Sequence, residues 1–498
     1  MLRGAPVSTA GVRATGTSLV PGATTDSAGH YQIRGSLPGN YRLTVEKDGT
    51  GGARPRSVNV LPGSHHQHVD IELLPEAILS GKVLDAEKRP VANSAVGAWV
   101  KSSKNGHVAF LQRGFSSSDD TGSYRIAELG EGHYYLIALA EPLRPRKRQP
   151  ASENAAEAKP RIGPQRFSFY PNTTSWESSV SFGVGFGEQR EGLDLVLGKT
   201  PTYCVFATVS PVAGQAASAQ SANLVIYVPI GASFVQVAQG SIRQGEELEV
   251  CGLPPGAYSA VAKTFDAATK KATAFAKVEF VIVKRDVDLG TLHPIPGATL
   301  SGSIAVKDSS RESSLPSGII VTLDLKSRPI AYGENRTGRV AESGHFSVEG
   351  AFVDDYGLIV SGLPDGYYVH QALQQGRDAW RGTVRPDGGD LQVVLGADGP
   401  VVSGQATDRK NQPVEDAIVA LVPEGQEFGL VQQCDQRGQF RFSSGVRPGS
   451  YRIIALSGLL AGEEQNPDAI RAHLVHASTV DLAPRQQAVL AVTVRAAR

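Results

Sequence analysis

Apolar and polar residues alternate in short runs along this chain, and Gly, Pro, Asn and Asp separate the runs. Between Thr25 and Val45, Tyr31 and Ile33 alternate with Gln32 and Arg34, and Tyr41, Leu43 and Val45 alternate with Arg42 and Thr44. That period of two gives each strand one apolar face. Asp26 and Gly29 mark one reversal and Leu37-Pro38-Gly39 another, because Asp bonds its own backbone, Gly accepts φ > 0 and Pro fixes φ. The pattern predicts two strands joined as a hairpin.

The same punctuation recurs at Asp120, Gly122, Tyr124, Ile126, Leu129, Gly132, Tyr134 and Leu136. It returns at Asp435, Gly438, Phe440, Phe442, Pro448, Gly449, Tyr451 and Ile453. Weaker copies run from Leu248 to Tyr258 and from Gly344 to Tyr368. Intervals of ~100 residues indicate tandem domains, since solenoid repeats are shorter. A second motif precedes the hairpin: SGKVLDAEKRPVANSAVGA at 80–98 matches SGQATDRKNQPVEDAIVAL at 403–421. Gly81 pairs with Gly404, Asp85 with Asp408, Pro90-Val91 with Pro413-Val414 and Val96 with Val419, all without a gap at one offset.

Together these motifs resemble the carboxypeptidase regulatory-like domain, a transthyretin-like β-sandwich with a carbohydrate-binding-like fold. The resemblance covers 80–140 and 403–456, extends to 4–75, and is weaker over 200–293 and 298–396. Their order and style are similar to those of large exported proteins of soil bacteria such as acidobacteria. The resemblance implies a non-catalytic accessory or binding module outside the cell, in the periplasm or at the outer membrane, and carries over no catalytic residue.

The expected fold is all-β, a tandem array of five transthyretin-like or Ig-like β-sandwiches with at most one or two short helices, one of them at 466–474. The expected domains are 1–75, which lacks its first strand; 76–198, with a mobile loop at 141–165; 199–293 and 294–396, both divergent; and 397–498. Gly4-Ala5-Pro6-Val7 aligns with Arg89-Pro90-Val91, mid-motif, so the gene product is expected to start upstream of Met1, with the missing strand and a secretion signal there.

Composition narrows the function. Lys+Arg and Asp+Glu are both 49, giving a net charge of +0, so no overall field draws nucleic acid. No apolar run reaches the ~18 residues of a membrane helix. Gly at 55 and Pro at 30 sit at turns, which fits many short strands. Cys204, Cys251 and Cys434 are too few for a disulfide framework. Cys204 and Cys251 fall on two strands of one domain and read as buried thiols, with pairing open to an exported protein.

Signatures of hydrolase, zinc protease, redox dithiol and kinase chemistry are missing. Gly192 to Thr200 has five residues between its glycines and reads as a strand, not a phosphate loop. Gly183, Gly185 and Gly187 lack a following helix and read as strand or loop. Lys82 stands on a strand of the kind that could carry a covalent Lys–Asn cross-link, but its equivalent is Gln405 and no matching Asn with a neighbouring acid is evident. In GSHHQHVDIEL, His66, His68 and Asp70 would share one strand face, and imidazole with carboxylate suits zinc or copper; any polar strand face has the same spacing. Carbohydrate binding needs flat aromatic platforms beside polar groups, and Trp176 and Trp380 are the candidates, together with Tyr170, Tyr367 and Tyr368. Trp99 reads as core.

The sequence therefore reads as a non-catalytic binding or spacer protein without cofactor. Carbohydrate recognition is the first alternative, and an accessory role to a peptidase or outer-membrane receptor is the second. The possible partners are a polysaccharide or an envelope protein, with the oligomeric state open.

Overall fold

The computed structural model describes residues 5–16, 21–34, 39–48, 50, 56–60, 69–104, 107–148, 161–212, 221–231, 233–265, 272–307, 315–325, 336–426, 429–459, 463 and 467–497. Among them the chain is a tandem array of β-sandwiches. The described helical segments include the α-helix Pro467–Arg471, inside the stretch expected to be helical, and 3-10 turns at Trp176–Ser178 and Leu474–His476. Five main apolar cores succeed one another along the chain, anchored by residues such as Tyr41, Leu136, Leu253, Leu323 and Leu421.

The expected hairpin is corrected: its two strands lie in different sheets. Ser123–Leu129 pairs with Ala77–Asp85, whereas Gly132–Leu139 pairs with Ala95–Lys104. Gln439–Phe442 and Gly449–Ser457 divide in the same way, between Val401–Thr407 and Ile418–Pro423. The turn between them is an arch from one sheet to the other. Alternation tells which residues face a core, but a hairpin and an arch bury the same positions, so the pattern could not separate them. In the first unit Tyr41, Leu43 and Val45 are buried on Gly39–Glu46 as expected. Residues 31–34, however, carry no strand, and Tyr31 instead donates its hydroxyl to the Val69 carbonyl at 2.7 Å.

A tyrosine locks three of the arches. Tyr134 Oη donates to Gly130 O at 2.8 Å, Tyr258 Oη to Pro254 O at 2.7 Å and Tyr451 Oη to Arg447 O at 2.9 Å. Each ring fills the core while its hydroxyl satisfies a carbonyl of the turn four residues earlier. The position after the turn glycine therefore does more than pack.

Five turns are closed by an Asp side chain in one geometry, Oδ1 accepting the backbone N–H of residues i+2 and i+4. Asp26, Asp85, Asp119, Asp408 and Asp435 all do so, at 2.7–2.9 Å. In the second unit the sequence pattern pointed to Asp120 for this role. It belongs to Asp119, which restores the spacing of three to Gly122 seen between Asp26 and Gly29 and between Asp435 and Gly438.

Four units close by pairing their last strand in parallel with their first: Leu195–Leu197 on Ala77–Asp85, Val287–Leu292 on Lys199–Val209, Leu391–Gly396 on Ala298–Val306 and Gln487–Ala496 on Val401–Thr407. This explains the shared motif glycine. A Cβ on Gly81 would stand 2.5 Å from Leu193 O, and one on Gly404 1.9 Å from Leu490 O, so only Gly lets the closing segment approach.

Two further expectations change. The ends of the loop expected at 141–165 are strands of the neighbouring sheet: Arg146–Lys147 pairs with Glu247–Leu253, and Arg161–Pro164 pairs with Lys199–Val209. Residues 149–160 lie outside the described residues. The charge and Pro content of 144–150 suggested a solvated loop, yet backbone hydrogen bonding is indifferent to side-chain charge on an exposed strand. Cys204 and Cys251 are not free thiols. They oppose each other on adjacent strands and form a disulfide, while Cys434 is buried and unpaired.

Candidate functional site

The segment that crosses into the neighbouring sheet joins the second and third units beside a cleft. Leu143 pairs with Ala238, donating to Val237 O at 2.9 Å and accepting from Gln239 N at 2.8 Å. Phe110 N and O both bond Ser233 Oγ, at 2.8 and 3.1 Å. Trp99, Phe110, Ile137 and Phe169 of the second unit then form one apolar cluster with Ile230 and Val235 of the third. Beside this joint lies a cleft of about 670 Å³, within the range of small-ligand sites.

One wall is residues 165–177. Phe167–Phe169 is an edge strand on Gly132–Leu139, and the backbone then turns into the 3-10 segment that begins at Trp176. Trp176 is half-buried; its ring stands edge-on to Phe110, with centroids 5.5 Å apart. Glu177 is exposed and accepts a hydrogen bond from Ser175 Oγ. The other wall is Val228 to Gly231 and the arch Pro254 to Tyr258 of the third unit.

Arg166 lies between the walls. It is only 9% exposed. Its backbone carbonyl accepts from Ala140 N at 2.9 Å and its Nη2 donates to the Glu141 carbonyl. Nε is buried and makes no hydrogen bond. Burial pulls the guanidinium below its ordinary value, while Glu141 and Tyr258 act in the opposite sense; it stays charged all the same. Burial also raises the Tyr258 phenol, whose hydroxyl is occupied by Pro254 O.

Of the residues singled out in the sequence, Trp176 lines this cleft. Trp380 does not; it is half-buried against the core of the fourth unit, and its backbone N–H donates to Asp378 Oδ1 at 2.9 Å. Trp99 is buried, in the cluster at the joint. His66 and His68 lie outside the described residues, whereas Asp70 lines a small cavity of about 160 Å³ with His30 and Tyr31. Among the described residues no group of three or more His, Cys, Asp or Glu could hold a metal. Arg166 was missed because a lone Arg in a strand-edge sequence, QRF, carries no motif. The one available signal was its place beside a Phe-x-Phe strand in an aromatic-rich stretch.

The comparisons bear on the first unit. Residues 2–74 match the carboxypeptidase regulatory-like domain. The match to the regulatory-like domain falls within the first unit, whereas the paired motifs at 80–98 and 403–421 lie outside it. No curated protein matches the chain. Solved structures that align include the streptococcal ancillary pilin, at 14% identity over 59% of this chain and 99% of that one, TM-score 0.18. The Bacillus anthracis TIE protein aligns at 10% identity over 81% and 68%, TM-score 0.17, and BcpA, the major pilin subunit of Bacillus cereus, at 10% over 64% and 99%, TM-score 0.15. Scores this low support no statement about this chain. No helix among the described residues is long and apolar enough to cross a membrane.

Proposed function

We propose that the chain is a non-catalytic binding protein of the cell envelope or exterior, built as five units at 1–75, 76–198, 199–293, 294–396 and 397–498, and that the cleft between the second and third units takes a carbohydrate. The observation that carries this reading is Trp176 on the wall of a roughly 670 Å³ cleft that also holds polar groups. An indole offers a sugar ring an apolar platform, and the neighbouring polar atoms offer its hydroxyls partners.

A spacer role is the second reading, favoured by the joints. The third and fourth units share an apolar cluster, with Tyr227 and Phe275 packed beside Leu323 and Tyr356. The fourth and fifth exchange backbone bonds, Gly366 N to Ser443 O at 2.6 Å and Gly445 N to Tyr367 O at 2.8 Å. Joints of this kind restrict the motion of one unit against the next more than a bare linker does.

A glycan array with the full chain, alongside Trp176→Ala and Trp380→Ala, separates the two readings. Binding lost in Trp176→Ala and kept in Trp380→Ala supports the cleft. Binding lost only in Trp380→Ala moves the site to the fourth unit, and silence across the array leaves the spacer role alone.

A further inference from the structure

We infer that the cleft between the second and third units selects a carboxylate-bearing saccharide, with the guanidinium of Arg166 as the group that recognises the acid. The inference rests on the carbohydrate reading of Trp176 and adds the ligand's charge.

Arg166 has donors to spare. A guanidinium has five N–H donors and a fork that matches a carboxylate. In Arg166 one hydrogen bond is made, from Nη2 to the Glu141 carbonyl, and Nε is buried without a partner. Among the described residues no carboxylate stands within 4.0 Å of it to form an ion pair. The Glu141 charge favours the guanidinium from beyond ion-pair distance, and a buried cation compensated only at that range is a cost to the fold. Here it borders the cleft, so a closer anion can come from solution.

The surroundings fit one acid group attached to a flat apolar body. Trp176 lies on the same wall as Arg166, and the opposite wall is largely apolar, with Val228, Ile230 and the prolines 254 and 255. The acid on the Arg166 wall, Glu177, is exposed and engaged by Ser175, so solvent screens its repulsion. A neutral sugar fills the same space and leaves Arg166 as it is. A small inorganic anion meets the charge and leaves the indole uncovered. A uronic acid residue satisfies both.

The test is isothermal titration of the full-length chain with a galacturonic acid disaccharide, its neutral galactose counterpart and an acidic dipeptide, each at low and high salt. The wild-type chain should bind the uronate about tenfold or more tighter than the neutral sugar, as one charge-assisted contact supplies. In Arg166→Met that ratio should fall to about one, and salt should erode it in the wild type. Equal affinity for acidic and neutral sugars overturns the role of Arg166 and leaves the carbohydrate reading standing. Binding of the dipeptide alone overturns the saccharide, and no binding by any probe overturns both. If Arg166→Met fails to fold, Arg166→Lys serves. It keeps the charge without the fork, and an undiminished preference for the acid over the neutral sugar in that variant excludes bidentate recognition.

Discussion

The second and fifth units share both sequence motifs and the same core, yet they cover their outer faces in different ways. Trp99 and Val422 occupy the same place in the motif, at the offset that carries Gly81 to Gly404, and Ile137 and Ile454 occupy the same place after the arch glycines Gly132 and Gly449. In the fifth unit this face is capped from within: Ile470 and Leu474, on the short helical segments, pack on Ala420, Val422, Ile454 and Leu456. In the second unit the segment after the arch pairs with the third sheet, and the face is covered by Ile230 and Val235 of that unit with Trp176 at the side. One fold thus yields either a self-sufficient unit or a joint with a cleft. The path of the chain beyond the arch decides between them.

The largest effect should come from that shared position. Trp99→Ala, removing a side chain 4% exposed, should cost about 3–5 kcal/mol, and Val422→Ala about 2 kcal/mol. More telling is where the loss appears. In calorimetry Trp99→Ala should lower the melting of the second and third units together and weaken ligand binding at the cleft, whereas Val422→Ala should act on the fifth unit's transition. A Trp99→Ala loss confined to one transition would show that the joint is not a shared core.

A smaller effect tests what the two units have in common. Tyr134→Phe removes the hydroxyl bond that closes an arch and should cost about 1 kcal/mol. Tyr451→Phe, which also removes the bond its oxygen accepts from Arg447 N, should cost about 2 kcal/mol, each read as a shift in the urea midpoint at constant slope. Tyr258→Phe removes the same bond in the arch that walls the cleft. It should cost the same as Tyr134→Phe and also loosen binding there. Equal loss of binding in Tyr134→Phe would mean that the effect is general softening and not the cleft wall.

The cores were legible because alternation names the inward residues directly: Tyr41, Leu43 and Val45, or Leu136, Tyr451 and Ile453, are buried as their pattern requires. The short helix near Pro467 was legible from its proline and spacing. The sheet to which each strand belongs was not, because a hairpin and an arch bury the same side chains. Nor was the joint. Residues 143–148 and 161–164 pair through backbone atoms, which leave no trace in side-chain polarity, and the polar sequence around them suggested solvent. Half of the cleft was visible as Trp176, a conspicuous aromatic in a polar stretch. Arg166 was invisible because its meaning lies in a buried, unbonded donor beside a cleft, a property of the packed chain.

The Asp-closed turns offer the finest comparison, since Asp85 and Asp408 stand at matched positions, as do Asp119 and Asp435. In the folded chain backbone N–H donors hold Asp26 and Asp85 below the ordinary carboxylate value of 3.8, the His30 and Arg89 amides acting most strongly. For Asp119 the Thr121 hydroxyl is the leading cause, with the Ser123 amide next. A carboxylate depressed by folding contributes stability that is complete above its unfolded value and is lost as the pH falls through its folded value. Stability should therefore decline below about pH 4, gently, because these side chains are exposed. Asn accepts the same turn hydrogen bonds without titrating, so Asp119→Asn should flatten the acid slope of the second unit while changing its melting at pH 7 less than Asp119→Ala does. Melting curves from pH 7 to pH 3 read both quantities. An unchanged slope in Asp119→Asn would assign the acid sensitivity to other carboxylates and leave the turn's role at neutral pH to the Ala variant alone.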